Sequence, residues 1–404
     1  MRLLSSANHL SKVGTIEVGR ISEFEGLRAI LCWIVVAGHS LQFSGFTDAA
    51  NFSILLAWTN WGGDAVNVFA ILSGFVISLL LNSTPEKNYL QFMTERFFRI
   101  FPIYLIALII GIILLPVERA VLAGNWQDPE IASRGLQVVQ SAYTHFIYHL
   151  ISHITLLQGL IPDEILPHSS LTLLGPAWSL SLEWQFYIVA PLLLFLLHRS
   201  RSLQALILIL IGCNVLRKLV SSYSFGFGAF LPLKMEFFTI GVISFYFYCF
   251  CKGKGSQVLK PVYIFLIIVL FGLGILSFLP FDFLAKRAFS ILLWFIPFGA
   301  IIAEAVGLHF KPFNSIRYIL NLPILQKMGK ASYSTYLLHV PVIWTLIWLT
   351  STFSPHMDKA FLLVVVLILG FPIIIGISSL SYERIEKPFI RVGKQLSNTF
   401  ARSC

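Results

Sequence analysis

Apolar residues gather along this chain into runs of membrane-spanning length, separated by polar stretches that carry most of the charge. The runs fall near 27–44, 62–81, 101–117, 177–197, 203–222, 231–250, 261–279, 289–307, 332–351 and 360–381. An α-helix rises ~1.5 Å per residue, so about 20 apolar residues cross a bilayer core of ~30 Å. The pattern therefore predicts an all-α, polytopic membrane bundle of about ten transmembrane helices. An even number of crossings puts both termini on one side. Composition supports the same class: 57% of the 404 residues are hydrophobic and 12% are charged, against about 25% charged in a soluble domain.

The net charge is +10, which in a soluble protein would suggest nucleic acid. In a polytopic chain the basic residues first set topology. With the N-terminus inside, 21 of the 29 Lys and Arg residues fall in inner segments and 8 in outer ones. The positive-inside rule then makes both termini cytoplasmic, and no nucleic-acid partner is needed to explain the charge. Residues 1–23 lack a sustained apolar core and a small-residue cleavage site, so they read as a retained cytoplasmic leader. Residues 24–391 form the transmembrane domain, and 392–404 read as a short basic cytoplasmic tail. The five cysteines are odd in number and lie in or beside apolar runs, so no disulfide framework follows. Cys249 and Cys251 read as packing residues.

One connection, 118–176, is much longer than an ordinary helix–helix loop, and long loops are often functional. It is expected to lie outside. Its "YTHFIYHLISHITLL" places His145, His149 and His153 at i, i+4 and i+8. That spacing can hold zinc. The flanking aromatics and the apolar remaining face fit an interfacial helix better, and no metal is expected.

Several polar residues lie where lipid tolerates them poorly. The run "FEGLRAILCWIVVAGHS" opens with Arg28 and carries His39, eleven residues and about 16 Å further along a helix. If Arg28 marks one face, His39 lies near the bilayer centre. Asp64 sits about a turn inside the second run, either as a helix-end acid or as a functional carboxylate. Arg96 and Arg99, three apart in "TERFFRIFPIYL", share one helical face. They can grip phosphates bidentately or serve topology and anionic lipid. Glu183 lies inside "GPAWSLSLEWQFYIVAP", and a carboxylate there must pair, protonate or face water. In "MGKASYSTYLLHVPVIW", Tyr333, Tyr336 and His339 follow one side, with His339 suited equally to an interhelical hydrogen bond or to chemistry. Glu386 and Lys387 read as an interfacial anchor.

Taken together, "GLRAILCWIVVAGHS", "GGDAVNVFAILSGF", "RFFRIFP", "WSLSLEWQFY", "MEFFTIGV", "GKASYSTYLLHVPV" and "SYERIEKPF" resemble the membrane acyltransferase-3 family, integral-membrane O-acyltransferases that act on glycans and related acceptors. The segments run in order from about residue 20 to 391. The family's Arg-x10-His pair falls on Arg28 and His39, and its Arg-x-x-Arg on Arg96 and Arg99, which the resemblance assigns to the acyl-CoA donor. The family's paired acids are interrupted at Trp184, while Glu183 remains. The resemblance implies an O-acetyltransferase of the cytoplasmic (inner) membrane, moving an acyl group, most simply acetyl, from cytoplasmic acyl-CoA to a hydroxyl of a surface or lipid-linked glycan. Many relatives add an extracytoplasmic hydrolase-like domain. Without one, transfer would finish in the membrane domain or with a periplasmic partner, and a homo-oligomer is also compatible.

Such chemistry needs a general base near neutral pH, which histidine supplies. His39 is the candidate base, with Asp64 or Glu183 able to orient its imidazole. Arg28, Arg96 and Arg99 are the candidate donor-binding residues, so that Arg28 and His39 mark two ends of one donor channel. The competing reading is a proton-coupled transporter or exporter of a lipid-linked glycan or solute, since intramembrane ionisable residues suit that equally. Transporters commonly carry internal repeats, and none is found here. The charge partition makes a direct prediction: a reporter fused after Cys404 is active only if it folds in the cytoplasm. Activity of a periplasm-dependent reporter at that position would reverse the topology.

Overall fold

The computed structural model describes residues 21–46, 53–84, 87–199, 202–254, 282–354 and 358–402. Among these the chain is helical, with no β-strand. Seven helical stretches are long and apolar enough to cross a membrane. They are α1 (Glu23–Phe43), the apolar part of α2 (Ser53–Ser83), α3 (Tyr89–Ile113), α7 (Trp178–Arg199), α9 (Met235–Lys254), α13 (Ser332–Phe353) and a closing stretch over Lys359–Phe400. The last comprises α14 (Lys359–Val365), α15 (Phe371–Ser381) and α16 (Lys387–Arg402), joined by π-helical turns at Val366–Gly370 and Tyr382–Glu386.

Seven of the ten expected spans thus coincide with long apolar helices. The runs at 203–222 and 289–307 form α8 (Ser202–Leu219) and α10 (Asp282–Ala305), which are not among the seven. The run at 261–279 lies outside the described residues. α11 (Lys311–Leu320) and α12 (Pro323–Lys330) connect α10 to α13.

Local sequence explains where α3 begins and ends. Asn88 caps it reciprocally: its side chain accepts from the Gln91 amide and the Gln91 side chain accepts from the Asn88 amide, both at 2.9 Å, a capping box. The helix therefore starts twelve residues before the apolar run at 101. Pro116, in the first turn of α4 (Leu115–Leu122), suits a helix start, where its missing N–H costs nothing.

α2 is the centre of the bundle, packed against α1, α7, α9 and α10. It meets α9 through glycine on both sides. A Cβ on Gly74 would lie 2.2 Å from the Phe238 carbonyl oxygen, and one on Gly241 would lie 1.9 Å from that of Ile71. Helices in lipid lack a hydrophobic drive toward one another, so close backbone approach through small residues supplies the attraction. Beside this seam Phe75 packs edge-on to Phe24, Phe245 and Phe298. The outward faces are apolar too. On α3, Ile109 and Ile113 are 57% and 68% exposed, as expected of a lipid-facing surface.

The stretch expected as a short basic tail is helical through Arg402, within α16, which packs along α3. Gly393 and Ser397, one turn apart, are its buried positions, and Gln91 donates to the Ser397 carbonyl at 3.1 Å. Small residues at i and i+4 let the two backbones approach.

Residues 114–177 carry α4, α5 (Pro129–Thr144) and α6 (Phe146–Ile154). The histidine stripe is not one helical face, because α5 ends at Thr144 and His145 lies between the two helices. His149 and His153, both 0% exposed, turn inward onto Ser141, Ser169 and Thr172. Ile147, Tyr148, Ile151 and Ile154 are exposed on the other side of α6, forming the apolar face the sequence suggested. Among the described residues no group of three or more His, Cys, Asp or Glu could hold a metal ion.

Desolvation, with His145 nearby, lowers the pKa of His149 to about 4, and desolvation lowers that of His153 to about 3. A histidine held neutral when folded takes up its proton on unfolding, so stability falls as pH drops from 6.5 through 4. Glu118 acts with the opposite sign, since burial raises its pKa to about 8 and its contribution is lost as pH rises above 4.5. Comparison with a variant isolates the histidine effect. The melting-temperature advantage of the wild type over a His149→Gln, His153→Gln double variant should shrink steadily from pH 7 to pH 4.5 in detergent. A pH-independent difference would show that the pair is not held neutral.

Candidate active site

Six transmembrane elements, α2 among them through Ser73, turn polar residues toward one cavity of about 310 Å³, within the range of small-molecule sites. α1 contributes Glu25 and Arg28, and α3 contributes Arg96 and Arg99. α7 adds Ser179, Glu183 and Tyr187, α13 adds Tyr333 and Tyr336, and the π turn at Tyr382–Glu386 adds Glu386. Exposed Lys330 stands in its wall.

The carboxylates here have their own donors. Glu183 accepts from Ser73 Oγ at 3.3 Å and from the Tyr187 hydroxyl. Glu386, 4% exposed, accepts from the Ser334 amide at 3.1 Å and from the Ser334 hydroxyl. The arginines are less committed. Arg28 pairs with Glu25 at 3.4 Å. The Arg96 guanidinium lies 5.8 Å from the Tyr187 ring centroid, and its buried Nε has no hydrogen-bond partner among the described residues. Arg99 makes no hydrogen bond or ion pair among those residues. Buried donors are nearly always satisfied, so open guanidinium donors facing a cavity mark a place for an acceptor-rich ligand such as a phosphate.

Of the six residues singled out from sequence, Arg28, Arg96, Arg99 and Glu183 line this cavity and His39 and Asp64 do not. Tyr336 is in the cavity lining, and its hydroxyl accepts from Ser179 Oγ at 2.8 Å. Beyond Tyr336 lies a second polar group. His39 Nδ1 is 2.8 Å from His339 Nε2, and the Tyr336 and His339 rings are 5.9 Å apart. Arg28 thus lines the cavity and His39 does not; Tyr336 lines the cavity and neighbours the His339 ring. Neither anticipated carboxylate orients His39. Asp64 accepts instead from Ser290 on α10, and Asn67 links Ser290 (3.0 Å) to Lys234 (2.9 Å).

Glu386 was anticipated as part of an interfacial anchor. It is buried in the cavity wall, while its neighbour Lys387 is 40% exposed and pairs with Glu383 at 2.6 Å. The π turn accounts for the difference: an extra residue rotates Glu386 inward, and such turns concentrate at functional sites. Glu25, three residues before Arg28, was also passed over. Its i, i+3 spacing from an intramembrane arginine was the available signal.

Residues 21–383 match the sequence profile of the acyltransferase-3 family, described as an acyltransferase domain. The chain is 30% identical over 183 residues to the acyltransferase MdmB of Streptomyces mycarofaciens, covering 43% of this chain and 39% of the relative. It is 24% identical over 394 residues to the peptidoglycan O-acetyltransferase OatA of Listeria monocytogenes, covering 92% of this chain and 56% of the relative. To the O-acetyltransferase OatA of Staphylococcus aureus it is 23% identical over 357 residues, covering 83% and 54%. The chain thus spans about half the length of these O-acetyltransferases, and less of MdmB. No solved structure matches it.

The bonding pattern separates residues that hold the site together from residues that wait in it. Glu386→Leu leaves the buried Ser334 amide and hydroxyl without an acceptor, a loss of about 1–3 kcal/mol per group, and should sharply reduce monodisperse protein on size exclusion. Arg99→Met removes no protein hydrogen bond and should keep the wild-type profile. Equal yields of both variants would contradict this division.

Proposed function

The chain belongs to the acyltransferase-3 family, and on that premise we propose that it is a membrane O-acyltransferase moving an acyl group, acetyl in the simplest case, from acyl-CoA to a hydroxyl of a surface or lipid-linked glycan. The observation that carries the reading is the convergence of Arg28, Arg96 and Arg99 on one cavity, with the buried Nε of Arg96 lacking a hydrogen-bond partner among the described residues. Coenzyme A presents several phosphate charges that cannot enter lipid, and arginine forks match phosphate geometry. The charge partition makes the arginine end cytoplasmic, where acyl-CoA is found. Glu183 and Glu386 balance the arginines electrostatically when the donor is absent. Relatives whose names specify O-acetyl transfer, one of them to peptidoglycan, support a glycan acceptor.

The transfer itself falls to His39. The acceptor hydroxyl gives its proton to His39 Nε2 as its oxygen forms a bond to the thioester carbonyl carbon. Collapse of the tetrahedral adduct breaks the carbon–sulfur bond, and the departing thiolate takes the proton back from Nε2. The base and acid are one residue, so no net proton is consumed. Asp64 has no part in this step, because its hydrogen bond is to Ser290.

Purified protein in nanodiscs with acetyl-CoA and a glycan hydroxyl acceptor tests the reading. Arg99→Ala should raise the apparent KM for acetyl-CoA by a charge-assisted contact of ~1.5–3 kcal/mol, with kcat near wild type. His39→Gln keeps a polar group but cannot take a proton, and should lower turnover by ~10²–10⁴-fold at unchanged KM. Wild-type protein that neither binds nor turns over acyl-CoA would overturn the reading, as would full transfer by folded His39→Gln. Mass spectrometry of surface glycans from deletion and complemented strains identifies the acceptor.

A further inference from the structure

We infer that His339 is the positioning residue of the transfer: its hydrogen bond to His39 fixes which nitrogen of His39 carries the lone pair. The inference rests on the reading of His39 as the base and adds how that base is set.

The argument runs along a chain of atoms. His339 is 0% exposed and both its nitrogens are engaged. Its Nδ1 lies 3.1 Å from the Thr335 carbonyl oxygen. A carbonyl only accepts, so Nδ1 carries the proton. In a neutral imidazole Nε2 is then the acceptor. His39 Nδ1, 2.8 Å from it, must donate. The remaining His39 nitrogen, Nε2, therefore holds a lone pair. It has no hydrogen-bond partner among the described residues, and His39 is half-buried where His339 is sealed. The ring planes differ by 19° with centroids 5.0 Å apart, as a nearly in-plane N–H···N bond requires. The opposite tautomer would set the lone pair of His339 Nδ1 against the Thr335 oxygen.

A second contact holds the register. Cys32 Sγ donates to the Ser332 carbonyl at 3.3 Å, and His39 meets His339 seven residues further along both helices. α1 and α13 thus run parallel and touch two turns apart, so the imidazoles meet by helix packing rather than by side-chain adjustment.

The arrangement does the work that an aspartate does in a serine-protease triad, with a neutral acceptor in place of the anion. No carboxylate has to be buried beside His39, which avoids a desolvation cost there. When Nε2 takes the acceptor's proton, the Nδ1–H···Nε2 bond becomes charge-assisted and strengthens. Stabilisation therefore rises as the transition state forms. His339 itself touches no substrate.

The test compares His339→Leu, which removes the acceptor, with His339→Gln, which places a carbonyl oxygen near the position of Nε2. His339→Leu should lower kcat about 10²-fold with the KM for acetyl-CoA unchanged, and His339→Gln should recover kcat to within about tenfold of wild type. In a His39→Ala background His339→Leu should have no further effect, because the two act as one unit. Wild-type kcat in folded His339→Leu overturns the inference and leaves His39 as the base. Equal kcat losses in both variants, or a parallel rise in KM, overturn it too and indicate a structural role. Wild-type transfer by folded His39→Ala instead removes the underlying reading. A measurement independent of variants at 339 is the 15N spectrum of histidine-labelled protein, with His39 assigned by difference from His39→Gln. A protonated Nδ1 and bare Nε2 are expected, and a proton on Nε2 overturns the inference.

Discussion

An ionised side chain inside a bilayer must pair, lose its charge or face water, and that constraint shapes this bundle. Three arginines and three glutamates from α1, α3, α7 and the closing helical stretch all open on one cavity. The balance alone does not make a site. Glu183 is held by Tyr187 and Ser73, and Glu386 by Ser334. Because those carboxylates are satisfied by neutral donors, they offset the arginine charge without occupying the guanidinium hydrogen bonds. Had the acids formed bidentate pairs with Arg96 and Arg99, the cavity would be a closed structural network. On the proposed reading, the donors left open would convert a stability requirement into a binding surface.

Much of the fold was legible because lipid imposes a simple rule on sequence. Described runs of about 20 apolar residues became helices, and charged residues in or just before those runs marked the site: Arg28, Arg96, Arg99 and Glu183 reach the same cavity from three helices. The same rule failed where charge faces inward. The first turns of α3 carry Glu95, Arg96 and Arg99, so an apolar count starts the helix twelve residues late. The closing helix hid Glu386 beside Lys387, which resembles an anchor until a π turn separates their directions. Distances of three hundred residues were also beyond reach. Nothing local to "VVAGHS" or "TYLLHV" states that His39 and His339 meet, since that contact follows from the packing of α1 on α13. The carboxylate expected to orient His39 was a guess about tertiary contacts, and the bundle supplies a second histidine instead.

Two polar compartments share α13. Tyr333 and Tyr336 face the arginine cavity, while His339, one turn beyond Tyr336, faces His39. Between them stands the hydrogen bond from Ser179 to Tyr336. For an acyltransferase this placement has a consequence. On the proposed reading, a thioester docked at the arginines would meet Tyr336 before it meets the His39 nitrogen. A neutral hydrogen bond of this kind contributes only about 0.5–1.5 kcal/mol net, so a few favourable contacts from a bound donor or acceptor suffice to open it. On that reading the arginines would hold the donor and the imidazole pair would serve the transfer, with Tyr336 of α13 lining the one and neighbouring the other.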